Sequence, residues 1–253
     1  MMPKTFNGKT ALVTGGTRGI GKAIATTLAE RGCDVAVNFL KSRAAADATV
    51  AELTALGVRA LPLRANVGNI DHLGRMFDRI KDAWGHLDIF VNNAALGPLK
   101  PVLELDNDDW QRSMEINARA LLFGAQRAAA LMKGRKGKIV SITSMGADHV
   151  LPDYGAVGAA KAALESLTRY LAVELAPLGI NANCVAGGVV DTESLKPFPK
   201  REEMLSMALA KTPAGRLGEP IDIARVVAFL CSDDSDWIRG QTIVADGGYS
   251  LWG

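Results

Sequence analysis

The chain is poor in the residues that mark several common functions. Its three cysteines, Cys33, Cys184 and Cys231, are scattered without metal-ligand spacing, and its three histidines, His72, His86 and His149, form no ligand cluster. Neither a metal centre nor a disulfide framework is expected, and reduced thiols are the default. Surplus charge is missing as well: a formal +2 over 253 residues, with no basic run beyond a few residues, lacks the footprint of a nucleic-acid binder. No apolar stretch approaches the roughly 20 residues of a membrane-spanning helix. Met1-Met2-Pro3-Lys4-Thr5 runs directly into an apolar strand pattern and leaves no room for a signal peptide. The expectation is a soluble cytoplasmic protein that binds neither nucleic acid nor membrane.

What the chain does have is core. A hydrophobic content of 48% over 253 residues suits one α/β domain spanning 1–253. Short apolar runs at 10–14, 34–39, 59–63, 88–92, 138–143, 180–186 and 242–245 read as strands buried on both faces. Helical patterns fall near 19–31, 43–56, 70–84, 108–132, 155–176 and 220–231. Strands that alternate with helices make right-handed βαβ units and a doubly wound parallel sheet with helices on both faces. Ligands in such a sheet bind beyond the carboxyl ends of the strands. The alternation fails over 191–216, where Pro197, Pro199 and Pro213 predict an irregular, partly helical flap.

The first strand leads into Thr14-Gly15-Gly16-Thr17-Arg18-Gly19-Ile20-Gly21 and then an apolar-periodic helix. Strand, glycine turn and helix form the context of a dinucleotide site in a Rossmann fold. Glycines let the backbone approach a pyrophosphate, and the helix N-terminus supplies amide donors. An NAD site usually places a carboxylate at the end of the second strand to bind the ribose 2′-hydroxyl. Here that strand ends in Asn38, followed by Lys41, Ser42 and Arg43, with Arg18 in the glycine turn. Cations without a carboxylate favour a 2′-phosphate, hence NADPH. Asn38 is expected to face that phosphate, so that an aspartate there would turn NADPH away.

Tyr154 precedes Lys161 by seven residues, nearly two helical turns. On one helix both side chains would share a face about 10 Å apart along the axis. The more familiar pair is Tyr-x-x-x-Lys, but Val157 occupies the position one turn before the lysine and has no hydroxyl. The shift moves a phenol by about 4.5 Å along a helix. A ketone reductase protonates the oxygen on the carbon that receives hydride. Reduction of a 2-enoyl thioester delivers hydride to C3 while charge develops on the thioester oxygen at C1. Its donor must stand further from the hydride source, which is what a hydroxyl at 154 in place of 157 provides.

These residues resemble the short-chain dehydrogenase/reductase family over nearly the whole chain. The resemblance rests on the glycine turn, Asn92-Asn93-Ala94-Ala95, Asn117, Ser144, the Tyr154/Lys161 helix and Gly240-Gln-x-x-x-x-Asp246-Gly-Gly248. Within it, the Tyr-x6-Lys spacing is similar to the enoyl-acyl-carrier-protein reductases. Ala186-Gly187 in place of the usual Pro-Gly, and the stretches 186–192, 196–203 and 211–216, are similar to the NADPH-dependent branch numbered III. Asn66-Val67 stands where Asp-Val is common, and Ser144 where related enoyl reductases have a second tyrosine.

The resemblance implies a reductase of fatty acid synthesis that acts on enoyl groups carried by acyl carrier protein, or on acyl-CoA, as a homotetramer. It assigns Tyr154, Lys161, Asn117 and Ser144 to the catalytic site. Lys161 would bind the nicotinamide ribose and lower the phenol pKa; Asn117 would hold a water or a backbone carbonyl. Gly15, Thr17, Arg18, Gly19, Ile20, Gly21, Asn38, Lys41, Ser42, Asn66, Val67, Asn93, Ala94, Ala95, Lys161, Gly187, Val189 and Thr192 would line the cofactor site. A carbonyl reductase, such as one for 3-ketoacyl groups, and a non-catalytic NADP(H)-binding protein are the alternatives. Residues 193–212 are expected to close over the acyl chain as a mobile lid, with Lys196, Lys200 and Arg201 facing an acidic carrier protein.

Overall fold

The computed structural model describes residues 4–251 except 197, 199 and 200. Seven strands form one parallel sheet: β1 (Thr10–Val13), β2 (Asp34–Phe39), β3 (Ala60–Arg64), β4 (Ile89–Asn92), β5 (Gly137–Ser144), β6 (Ile180–Gly187) and β7 (Thr242–Ala245). Their order is β3-β2-β1-β4-β5-β6-β7, so the chain winds outward from β1 to one edge and from β4 to the other. The reversal between β1 and β4 opens a crevice at the carboxyl ends of the strands.

Among the described residues the α-helices are α1 (Gly19–Glu30), α2 (Arg43–Ala55), α3 (Ile70–Trp84), α4 (Asn107–Met114), α5 (Ala120–Leu131), α6 (Gly155–Glu174), α7 (Arg201–Lys211) and α8 (Pro220–Cys231). Alternate strand residues feed two cores. Val13, Val35 and Val37 pack with Ile24 and Leu28 of α1, Leu53 of α2 and Ile223 and Val227 of α8. Leu12, Ala36 and Phe90 pack on the other face with Phe77 of α3, Leu121 of α5 and Leu164 of α6. That two-sided burial explains why the strands read as continuous apolar runs.

One helical expectation changes. The pattern near 108–132 is interrupted by a π turn, Glu115–Arg119, between α4 and α5. The stretch 191–216, expected to be irregular and partly helical, holds the helix α7, with Pro213 beyond its end and Glu202 and Glu203 in its first turn. Pro213 lies past the helix and leaves its interior intact, and Pro197 and Pro199 lie outside the described residues.

At the end of the sheet away from the crevice, Asp88 is 3% exposed. It accepts hydrogen bonds from the Thr10 amide (2.8 Å) and from Arg135 Nε (2.6 Å), tying β1, β4 and the approach to β5 together. Removing one partner of such a buried pair strands the others. Asp88→Ala should cost about 3 kcal/mol and lower Tm by roughly 6–12 °C in a domain of this size. Cofactor binding should be unchanged at temperatures where the variant is folded, and calorimetry beside a binding titration would check both.

Candidate active site

The glycine turn is built from contacts that leave no room for side chains. A Cβ on Gly21 would lie 2.2 Å from the Gly15 carbonyl oxygen, and Gly15 and Gly19 adopt φ of +62° and +51°. The polar groups of the turn are held from both sides. Gly15 N–H donates to Asn38 Oδ1 (3.2 Å), and Asn93 Nδ2 donates to the Thr14 carbonyl (2.8 Å). Helices α2, α3 and α4 are capped by Ser42, Asn69 and Asp106. Helix α1 has no side-chain cap and no acid in its first turn. Its first amides are therefore free to receive an anion, and the dipole favours one.

A cleft of about 540 Å³ opens over this turn and the crevice. Gly15, Thr17, Arg18, Gly19, Ile20, Gly21, Asn38, Lys41, Ser42, Asn66, Val67, Asn93, Ala94, Ala95, Lys161 and Thr192 line it, as do Ser144 and Tyr154. The glycine cradle, the uncapped helix and the flanking cations fit a dinucleotide. Of the expected cofactor residues, Gly187 and Val189 do not line this cleft. Gly187 borders a second cavity of about 170 Å³, which Ser144 also lines. The Val189 carbonyl is taken by Gly218 N–H (3.0 Å).

Asn38 is corrected from specificity determinant to brace. It is 2% exposed, and besides accepting from Gly15 its Nδ2 donates to the carbonyls of Leu63 (3.2 Å) and Ala65 (3.0 Å). Nothing polar remains for a 2′-phosphate. Asn93 likewise spends its amide on the turn. Ser42 caps α2 through Ala45 N–H (3.2 Å), and Arg43 pairs with Asp47 (2.8 Å). Arg18 is exposed and 3.8 Å from Glu193, a cleft residue that sequence reasoning passed over. Lys41 and Arg18 are the exposed cations that line the cleft.

Tyr154 is not on the helix with Lys161; it is the residue before α6, with φ −104° and ψ 8°. Its ring lies against Gly146, where a Cβ would come within 2.6 Å of the ring carbon Cδ1. Phe198 sits 6.2 Å away, centroid to centroid, at an interplanar angle of 30°. Burial pushes the phenol pKa up, and a hydrogen bond with Ser144 pulls it back. The lowering expected from Lys161 is not found: the net shift is upward, and Ser144 is the group that opposes it. Ser144 thus has a visible role as the phenol's neighbour, and its own oxygen accepts from Gly146 N–H (3.2 Å).

Lys161 is 4% exposed and donates to the Ile142 carbonyl (2.8 Å). Burial lowers its pKa to about 8. Val157 is 5% exposed and fills the space beside Gly97, where a Cβ would be 2.3 Å from its methyl. Asn117 lies in the π turn, fully buried and outside the cleft. Its Nδ2 donates to the carbonyls of Ser113 (2.8 Å) and Leu96 (2.9 Å). The wider π turn lets one side chain bond its own helix and brace the loop after β4 together. The carbonyl-holding role expected of Asn117 is therefore present.

The basic docking patch is not a set of free charges. Lys196 pairs with Glu193 (2.8 Å) and Arg201 with Asp191, while Lys200 lies outside the described residues. Phe198, whose ring neighbours that of Tyr154, is one of the apolar residues of the 193–212 segment expected as a lid.

A family model described as "Enoyl-(Acyl carrier protein) reductase" matches residues 15–250. The chain is 41% identical over 243 residues to a 1-cyclohexenylcarbonyl-CoA reductase of Streptomyces collinus, covering 95% of this chain and 86% of that protein. It is 37% identical to a hydroxynaphthalene reductase-like protein of Metarhizium majus, covering 97% and 96%. Among solved structures, a short chain dehydrogenase of Burkholderia cenocepacia in complex with NADP superposes with a TM-score of 0.91 at 36% identity, over 97% of this chain and 99% of that one.

A carboxylate at 38 could still accept from Gly15 but would face the Leu63 and Ala65 carbonyls without a donor. Asn38→Asp should cost roughly 3 kcal/mol of stability without reversing the NADPH:NADH preference. Lys41→Glu should weaken NADPH about tenfold or more and NADH little, since it sets a like charge against the 2′-phosphate. Fluorescence titration of both nucleotides checks this; a preference reversed by Asn38→Asp alone would restore Asn38 as the determinant.

Proposed function

The chain belongs to the short-chain dehydrogenase/reductase family of oxidoreductases, and we propose that it is an NADPH-dependent reductase of 2-enoyl thioesters. The acyl-carrier-protein ester of fatty acid synthesis is the first substrate this reading names, and the coenzyme A ester the second. One observation carries it: the cleft's phenol is Tyr154, while the position one turn before Lys161 is a buried valine packed on Gly97. Similarity to a reductase of 1-cyclohexenylcarbonyl-CoA, an α,β-unsaturated thioester by its name, supports the same chemistry.

Arg18, Lys41 and the open amides of α1 would hold the phosphates, and Lys161 the nicotinamide side. Bound NADPH supplies the hydride that adds to C3. As charge moves to the thioester oxygen, the Tyr154 hydroxyl donates a hydrogen bond to it. A phenol pKa raised by burial keeps that proton in place at neutral pH. Lys161 contributes positive charge to the same region. Phe198, stacked near Tyr154, belongs to a segment that covers the acyl chain.

The test follows NADPH oxidation with a 2-enoyl thioester and, in parallel, a 3-ketoacyl thioester, each on carrier protein and on coenzyme A. Preference for the enoyl substrate is expected; preference for the ketone would assign a carbonyl reductase, a reading favoured by the hydroxynaphthalene reductase-like relative. Oxidation of neither would leave a non-catalytic binding protein. Tyr154→Phe should lose about 100-fold or more in kcat, the scale of one oxyanion donor, with NADPH affinity retained. A variant that kept above about a tenth of kcat would place the donor elsewhere.

A further inference from the structure

Lys161 carries a largely buried ammonium, with no ion pair to a carboxylate among the described residues. A buried cation without a counter-charge tends to release its proton. One turn along α6, Glu165 occupies the same helix face. Its carboxylate accepts from Thr143 Oγ1 at 2.7 Å. Thr143 directly follows Ile142, whose carbonyl holds Lys161 at 2.8 Å. Two successive residues of β5 therefore grip the two side chains. Thr143 and Lys161 line the large cleft and Glu165 the second cavity, so the Thr143–Glu165 bond lies between the two spaces.

We propose that Glu165 is a positioning residue for the reaction, held by Thr143 so that its negative field keeps the buried Lys161 ammonium charged. Burial is the main force on Lys161, lowering it to about 8, and fields from Cys184 and Glu165 oppose it. Cys184, facing from β6, is itself pushed up to about 12 by burial, so it is a neutral thiol at physiological pH. Glu165 is the counter-charge that remains. Around Glu165, the loop after β5 contributes Asp148 and His149 to the second cavity, and the C-terminal segment contributes Asp246. His149 is ion-paired with Asp148, which raises its pKa.

The sign follows from the charge. A lysine is protonated below its pKa, and removing a nearby negative charge lowers that pKa. The alkaline limb of kcat/KM, which reports the free enzyme, should then move to lower pH. The inference rests on the reductase reading for its activity readout, and a substrate-free measurement separates the two. Protein labelled with ε-13C lysine is titrated by NMR without cofactor, with Lys161→Met assigning the signal. The wild-type midpoint is expected near 8. Glu165→Gln should lower it by roughly half a pH unit or more, and Glu165→Asp should restore most of the shift. Thr143→Val, which frees the carboxylate, should move it a smaller distance the same way and serves if Glu165→Gln fails to fold. The kcat/KM limb should follow, with activity near pH 6 preserved. A midpoint unmoved in Glu165→Gln, or in Thr143→Val where only that variant folds, overturns the proposal. So does a uniform loss of kcat/KM at every pH, which is what a purely structural role produces. Inactivity on enoyl thioesters with the NMR shift intact would count against the reaction, not against Glu165.

Discussion

The turn between β1 and α1 comes so close to itself that glycine is the only residue its geometry accepts. A Cβ on Gly21 would stand 2.2 Å from Gly15 O and 2.5 Å from the Asn93 amide nitrogen. Such a turn cannot satisfy its own polar groups and must borrow partners from neighbouring strands. Asn38 on β2 and Asn93 just after β4 supply them, and Thr14 Oγ1 accepts from the amides of Asn93 and Ala94. The crevice, the direction of α1 and its open amides follow from that bracing. The cleft can receive an anion because the side chains that might have capped α1 are absent.

The reactive corner is assembled from parts far apart in the chain. Tyr154 waits at the start of α6, Ser144 at the end of β5, and Phe198 on a segment beyond β6. Lys161 is anchored through a main-chain carbonyl of β5, and the loop after β4 is set by Asn117 across a π turn. Burial does two jobs in this arrangement. It holds the phenol proton on and makes the lysine charge conditional on its surroundings. A hydrogen-bond donor and a tunable cation are what stabilisation of charge on a substrate oxygen needs.

Much of this is legible in the amino-acid sequence. Doubly wound strands buried on both faces show as unbroken apolar runs, and the glycine spacing shows as a turn because only backbone sterics are involved. The missing hydroxyl at 157 and the present one at 154 are facts of composition at a position; the fold packs Val157 against Gly97 and puts Tyr154 in the cleft, ahead of the helix it was expected to share with Lys161. The reading failed where a side chain's partner decides its role. Asn38 looked like a specificity residue, but its amide is consumed by three backbone groups contributed by residues 23 to 27 positions away. Lys196 and Arg201 looked like free cations, but Glu193 and Asp191 take them.

Local sterics and periodicity act within a few residues, so the sequence by itself determined the sheet order's ingredients, the glycine turn after β1 and which position near Lys161 carries a phenol. Partnering acts across the fold, so only the tertiary structure decided the rest. It placed Tyr154 ahead of the helix, set Phe198 beside its ring, turned Asn38 inward and brought Thr143 to hold Glu165 one turn from Lys161. The physical reason is that hydrogen-bond satisfaction and desolvation depend on which surfaces meet, and that is settled only when β2, β4, β5 and α6 pack together.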